Sequence, residues 1–198
     1  LSKQAIEETP TSWKMITEDD VKQLLKPRAK HSHKGTYGKG LLIAGSHGMA
    51  GASILAAKGA LRSGIGLLTI HLPFLNNAIV QTAVPEAMTE IDVHDTCFST
   101  EVDTDDYQAV AIGPGLGQSR ITEKALLDQL VITTTPMVID ADALNLLSAN
   151  KNYLNKLPKG SILTPLQVYV NFPFLFSSSS TVRFVAFRFC FINFSISL

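Results

Sequence analysis

The chain has 198 residues, 45% of them hydrophobic, which is enough for one domain with a substantial core. Its 17 basic and 17 acidic residues cancel, so there is no electrostatic footprint for nucleic acid or an anionic membrane, and neither is expected as a partner. Two cysteines, Cys97 and Cys190, exclude a disulfide framework; they fit a reducing compartment, and the expected location is cytoplasmic.

Residues 1–15 are polar and charged, without the basic and apolar regions of a signal peptide. They read as a linker leaving an upstream domain, and the missing initiator Met fits a piece of a longer polypeptide. Thr17, followed by Glu18, Asp19 and Asp20, predicts a capped helix start with acids in its first turn. That helix is expected to run to about Leu25 and stop before Pro27. Residues 28–38 form a basic loop, in which His31, His33 and Lys34 could meet a phosphate. A solvated loop is the preferred reading.

Gly40 to Ala44 is a short apolar run ended by Gly45 and reads as a buried strand. Gly51 to Arg62 has helical spacing and ends at Gly64. Leu67 to Leu72 is the next strand. This strand–helix–strand order predicts a right-handed crossover and parallel pairing. A short helix is expected over Asn76 to Thr82, and a polar loop over Val93 to Asp106. Further strands are predicted at Ala109–Ile112, Met137–Ile139 and Ser161–Leu163, with helices at Thr122–Val131 and Ala141–Leu147. The alternation is that of an α/β domain, three layers (α/β/α) around a mostly parallel central sheet.

The character breaks after Pro165. Residues 166–198 hold no Asp or Glu and eight of the ten Phe. This segment reads as an aberrant Phe/Ser-rich tail, aggregation-prone where unpaired. Pro173, Arg183, Arg188 and the Ser177–Ser180 run leave no stretch of about 18 clean apolar residues for a membrane helix.

Ligands of open parallel sheets sit beyond the carboxyl ends of strands, and three such ends carry unusual residues. In Gly45 to Ser53 (GSHGMAGAS), glycines let backbone N–H groups approach a ligand and a helix N-terminus favours anions. His47 is its ligand-facing candidate. An ordinary tight turn explains the same spacing, and the residues alone leave both readings open. Gly113 to Gly117 (GPGLG) partly mimics a dinucleotide fingerprint, but Gln118 and Ser119 break the pattern; the alternative is a turn for close helix packing. In Asp140 to Leu144 (DADAL), an acid at a strand end can hold a ribose, a metal-bound water or a phosphate-bearing ligand. The residues themselves favour simple helix capping by Asp140 or Asp142.

Taken in order, SHKGTYGKGLLIAGSHGMAGAS, LRSGIGLLTIHLP, QTAVPEAM, AIGPGLG, VIDADALNLL and ILTP resemble one family. It is the C-terminal dehydratase domain of the YjeF-type bifunctional NAD(P)H-hydrate repair enzymes, and the resemblance covers residues 16–165. It implies a ribokinase-like fold, truncated here after its N-terminal half, with residues 1–15 leaving an upstream epimerase-like domain. It implies a hydro-lyase that restores NADH or NADPH from the hydrates NADHX and NADPHX at the expense of ADP or ATP, with Mg2+. The hydrate hydroxyl is phosphorylated and phosphate is then eliminated. In the intact protein the resemblance implies a homo-oligomer. Carried over by position, Gly51, Ala52, Ser53 and Gly115 become contacts for the hydrated cofactor, and Asp140 and Asp142 polar anchors beside it.

The family continues its ILTP strand as T-P-H-P-G-E, whereas Leu166 and Gln167 follow Pro165 here. The family's Lys-Gly nucleotide segment and its G-T-G-D motif, whose Asp is the catalytic base, do not occur. No catalytic residue can therefore be assigned, and the chain as given is expected to have little or no activity. The alternatives are a non-catalytic nucleotide-binding remnant or another ribokinase-like small-molecule kinase.

Overall fold

The computed structural model describes residues 17–24, 27–164 and 182–184. The expected linker at 1–15 and nearly all of the tail lie outside the described residues. The chain divides into two units at Ser32. In the first, helix α1 (Glu18–Leu24) starts where the sequence predicts. The Thr17 N–H donates to Asp20 Oδ2 (2.9 Å) and the Asp20 N–H to Thr17 Oγ1 (3.3 Å), a reciprocal cap.

The second unit is built on a sheet. In chain order its elements are β1 (Lys39–Ile43), α2 (Ala50–Arg62), β2 (Leu67–Leu72), α3 (Phe74–Ala83), β3 (Met88–Ile91) and β4 (Ala109–Ile112), then α4 (Arg120–Ile132), β5 (Met137–Ile139), α5 (Ala141–Ala149), β6 (Ser161–Leu163) and β7 (Val182–Phe184). Short 3-10 turns occupy Lys34–Tyr37 and Lys151–Lys156. The sheet order is β3-β2-β1-β4-β5-β6-β7 and every pairing is parallel.

The predicted five strands are all present, within a residue or so of their expected ends. The structure adds β3, whose sequence MTEI is mostly exposed. An edge strand wetted on most positions carries no apolar run to betray it. Helix α3 begins two residues earlier than expected, at Phe74 after Pro73.

The alternation of side chains along β1 divides the core in two. Leu41 and Ile43 face one side, packed with Val110, Ile112, Leu126, Leu130, Ile139 and Leu144 under α4 and α5. Leu42 and Ala44 face the other, with Leu68, Ile70, Leu72 and Val80 under α2 and α3. Each such aliphatic side chain taken out of water contributes about 1.5–3 kcal/mol. The second face is covered unevenly. Beside α2, an apolar groove of about 260 Å³ runs along Ala56, Ala60, Ile65, Ala111 and Val138 toward Asp140. Val138 is 36% exposed there, although both its strand neighbours, Met137 and Ile139, are buried on the opposite face.

Candidate functional site

After β1 the chain turns to α2 on one face of the sheet; after β4, the neighbouring strand, it turns to α4 on the other. Loops that leave adjacent parallel strands toward opposite faces open a crevice between them. The three loops singled out in the sequence all meet at this end. Hydrogen bonds stitch them together past the strands: Gly113 N–H to Ile43 C=O (3.2 Å), Gly45 N–H to Pro114 C=O (2.9 Å) and Asp140 N–H to Ile112 C=O (3.1 Å). The Thr164 N–H continues the series to Ile139 C=O (3.2 Å).

The first loop leads into α2 through Met49, which makes no side-chain cap. The Ala52 N–H bonds back to Met49 C=O (3.2 Å), but no side chain caps the turn, and the helix end carries positive potential. Gly51 is exposed and Ala52 half-buried at that end. Ser53 lies deeper: it is fully buried and its hydroxyl donates to Ala50 C=O (2.7 Å). The loop is fixed from its outer side. Asn76, itself buried, donates its amide to Ser46 C=O (2.9 Å), and the backbone N–H of exposed His47 donates to Thr96 C=O (2.7 Å).

The GPGLG turn is a point of close approach. Gly113 has φ +130°, and a Cβ there would fall 1.9 Å from the Asp140 carbonyl oxygen. Gly115 has φ +63°, and its Cβ would meet Ala52 Cβ at 2.8 Å and Met49 O at 2.9 Å. Gly115 therefore sits directly against the start of α2, bringing the predicted contacts Gly51, Ala52 and Gly115 to one place.

The third loop departs from simple capping. Asp140 occupies the N-cap position of α5 but makes no side-chain cap. Its Oδ1 accepts the Thr164 hydroxyl at 2.7 Å instead. Ala141 follows with φ +46°, an uncommon backbone for a residue with a Cβ. Asp142 accepts the Gly117 N–H (2.9 Å) and the Gln118 side-chain amide (2.9 Å), so its carboxylate ties the GPGLG turn to α5. His33 and Lys34, read as solvated, are exposed, as is His31 in the first unit.

A polar cluster beside the crevice escaped the sequence reading. At the ends of β2 and β3, His71 Nε2 lies 2.9 Å from Asp92 Oδ2, with the two side chains 5% and 0% exposed. Asp92 also accepts the His94 N–H (2.8 Å), the Ser99 N–H (2.9 Å) and a short bond from the Ser99 hydroxyl. Burial alone would raise this carboxyl. The bonds from His71, from Ser99 and from the two backbone amides outweigh it and hold Asp92 at about 2. The cluster was hidden because β3 was hidden: an acid at a strand end signals nothing when the strand is not seen.

Among the described residues no three His, Cys, Asp or Glu side chains gather as a metal site, and no helix is long and apolar enough to cross a membrane. Mg2+ commonly binds through one or two carboxylates together with a nucleotide's phosphates. Asp140 is the acidic residue among those that line the groove, and its Oδ1 already accepts the Thr164 hydroxyl.

Comparison with known proteins bears on this arrangement. The family profile described as NAD(P)H-hydrate dehydratase matches residues 40–179. The bifunctional NAD(P)H-hydrate repair enzyme Nnr of Escherichia coli is 38% identical over 141 residues, covering 71% of this chain and 26% of that protein. An ADP/ATP-dependent NAD(P)H-hydrate dehydratase from Bacillus subtilis, co-crystallised with ATP and Mg2+, superposes with a TM-score of 0.59. It is 35% identical, with 76% of this chain and 52% of that one covered. A ribokinase-like superfamily protein of Enterococcus faecalis superposes with a TM-score of 0.63 at 24% identity, covering 78% of this chain and 54% of that one, a likeness of fold alone. The chain spans about half the length, or less, of the curated relatives it matches.

Proposed function

Since the chain belongs to the NAD(P)H-hydrate dehydratase family, with its ribokinase-like fold, we propose that its crevice takes the hydrated nicotinamide nucleotide NADHX or NADPHX. The observation that carries this reading is the convergence of Gly115 on the uncapped start of α2, at the seam between β1 and β4. A backbone surface without side chains, at a helix N-terminus, suits a pyrophosphate. In this reading Gly51, Ala52, Ser53 and Gly115 form the contact surface, with Ser53 acting through backbone and helix position because its hydroxyl is already bonded. Asp140 and Asp142 anchor the polar rim, and Asp142 does so by holding the GPGLG turn.

ADP or ATP is the second substrate, with Mg2+ on its phosphates. The net chemistry is a phosphoryl transfer to the hydrate hydroxyl. The C–O bond then breaks, phosphate leaves, a ring proton is lost and the nicotinamide double bond returns. Hydroxide is a poor leaving group and a phosphate ester a good one, which is the reason a nucleotide is consumed. In this reading the crevice loops form the binding surface, and the G-T-G-D motif, whose Asp the family resemblance makes the general base, does not occur in the sequence. We therefore assign to this 198-residue chain binding without appreciable turnover. Its domain limits in this reading are residues 16–165, between a linker and the Phe/Ser-rich tail, into which the family profile runs as far as residue 179 and from which β7 joins the sheet. The intact protein is a cytoplasmic homo-oligomer.

The test is a melting curve with hydrated NADH and ADP, followed by absorbance at 340 nm. Saturating hydrate at about 100 times Kd is expected to add about 2.7 kcal/mol of stability with no recovery of absorbance. A melting curve indifferent to the hydrate would remove the binding claim; steady recovery at 340 nm would remove the claim of inactivity.

A further inference from the structure

We propose that Asp92 is a positioning residue for the crevice, holding the first glycine loop in place through the segment from residue 94 to residue 99. The inference rests on the binding reading above only for its ligand; its structural half stands alone.

Three of the four bonds to the Asp92 carboxylate reach both ends of one short segment. The His94 N–H binds Oδ1 at the start, and the Ser99 N–H binds Oδ2 at the end. The Ser99 hydroxyl adds a second tie to Oδ1. A single buried carboxylate thus closes residues 94–99 into a ring. Beneath it, Phe98 is 1% exposed and meets the His71 ring edge-on, centroids 5.6 Å apart. His71 in turn binds Asp92 Oδ2 through Nε2, while its Nδ1 is buried without a hydrogen-bond partner among the described residues, 3.8 Å from Glu90 Oε1.

The ring presents its middle to the glycine loop. Thr96 C=O receives the His47 N–H at 2.7 Å, and Asp95 C=O receives the Leu75 N–H at 3.2 Å at the start of α3. On the other side of the same peptide group, Asn76 holds Ser46 C=O. The Ser46–His47 peptide of the glycine loop is thus held from its outer side by the Asn76 side chain and by the Asp92 ring, while Gly45 is tied to the GPGLG turn. Gly48, next to His47, has φ +86° and nothing within 4 Å of where a Cβ would stand. This outer part of the loop, around His47 and Gly48, has little packing of its own, so its position follows the bonds to its backbone.

The experiment compares the full chain with Asp92→Asn and with Ser99→Ala, by amide hydrogen exchange and by hydrated-NADH binding. Leu130→Ala, a core truncation under α4 on the opposite face, serves as a control for general destabilisation. Asp92→Asn is expected to speed exchange of the His47 amide about tenfold, the scale of one lost hydrogen bond, while β1 and β4 amides stay protected. Ser99→Ala, which keeps the carboxylate and is the milder change, is expected to give a smaller acceleration at the same amide. Hydrate Kd should weaken with the exchange rate in both, and not in the control at a matched melting temperature. An unchanged His47 amide in both variants would overturn the proposal, as would equal loss of binding in the control. If the unsubstituted chain does not bind the hydrate, the functional reading fails and the His47 exchange rates alone decide this one.

Discussion

Gly113 is the residue at which three loops become one site. With φ +130° and the Asp140 carbonyl 1.9 Å from any added Cβ, it admits no side chain unless the β4 and β5 loops part. Gly113→Ala is expected to cost at least 2–3 kcal/mol, about 1–3 of it from backbone strain alone. For a chain of this size that lowers Tm by roughly 4–10 °C. A melting curve shifted by less than 2 °C would contradict this account. Asp92 makes a prediction of another kind. Its carboxyl lies at about 2 in the folded chain against an ordinary 3.8, so the folded state holds its proton less tightly than the unfolded one. Stability from this group is complete above pH 4 and is lost as pH falls through 2, about 2 kcal/mol in all. Urea titrations between pH 2 and 5 should show that slope in the unsubstituted chain, and Asp92→Asn should flatten it.

At the scale of elements, α4 shows how far local chemistry reaches. Ser119 caps it, its hydroxyl accepting the Thr122 N–H at 3.1 Å. Ser119→Ala is expected to cost about 1 kcal/mol, a Tm change of about 2–4 °C, with no change in crevice binding. The apolar strands Gly40–Ala44 and Leu67–Leu72 were legible because they are buried on both faces, and Ala109–Ile112 because its alternate residues Val110 and Ile112 are buried in an all-apolar run. The helices between them were legible from spacing and from the glycines that stop them. β3 was not, since Met88 and Ile91 at 48% and 39% exposed leave a strand that looks like loop. With it went the His71–Asp92 cluster. Site loops were legible as glycine-rich turns, but their roles were not. Whether Asp140 caps its helix or bonds Thr164 depends on a residue 24 positions away, which no local pattern encodes.

For the whole molecule, the half-covered face of the sheet sets solution behaviour. Among the described residues Ala111 and Val138 line a groove that nothing on α2 closes. An open apolar groove of this kind takes up hydrophobic dyes and favours self-association. Val138→Glu should leave Tm within about 1 °C, because the side chain is already part-exposed. It should also reduce anilinonaphthalene sulfonate fluorescence and light scattering on concentration. Unchanged dye binding would mean that other residues cover the groove.

The seam between β1 and β4, which forms the crevice, also bears on how the chain reaches its fold. Gly40 pairs with Ala109, 69 positions on, whereas Lys39 pairs with Leu67 after only 28. The β1–α2–β2 unit can form early and locally, and β4–α4–β5 likewise. Their joining must wait until the intervening chain has been laid down at the far edge, and that wait is the larger entropic obstacle. On this entropic ground the seam, where a ligand would enter, is expected to close last. A ligand that bridges the seam would grip two folding units at once and hold shut the joint on which the single sheet depends.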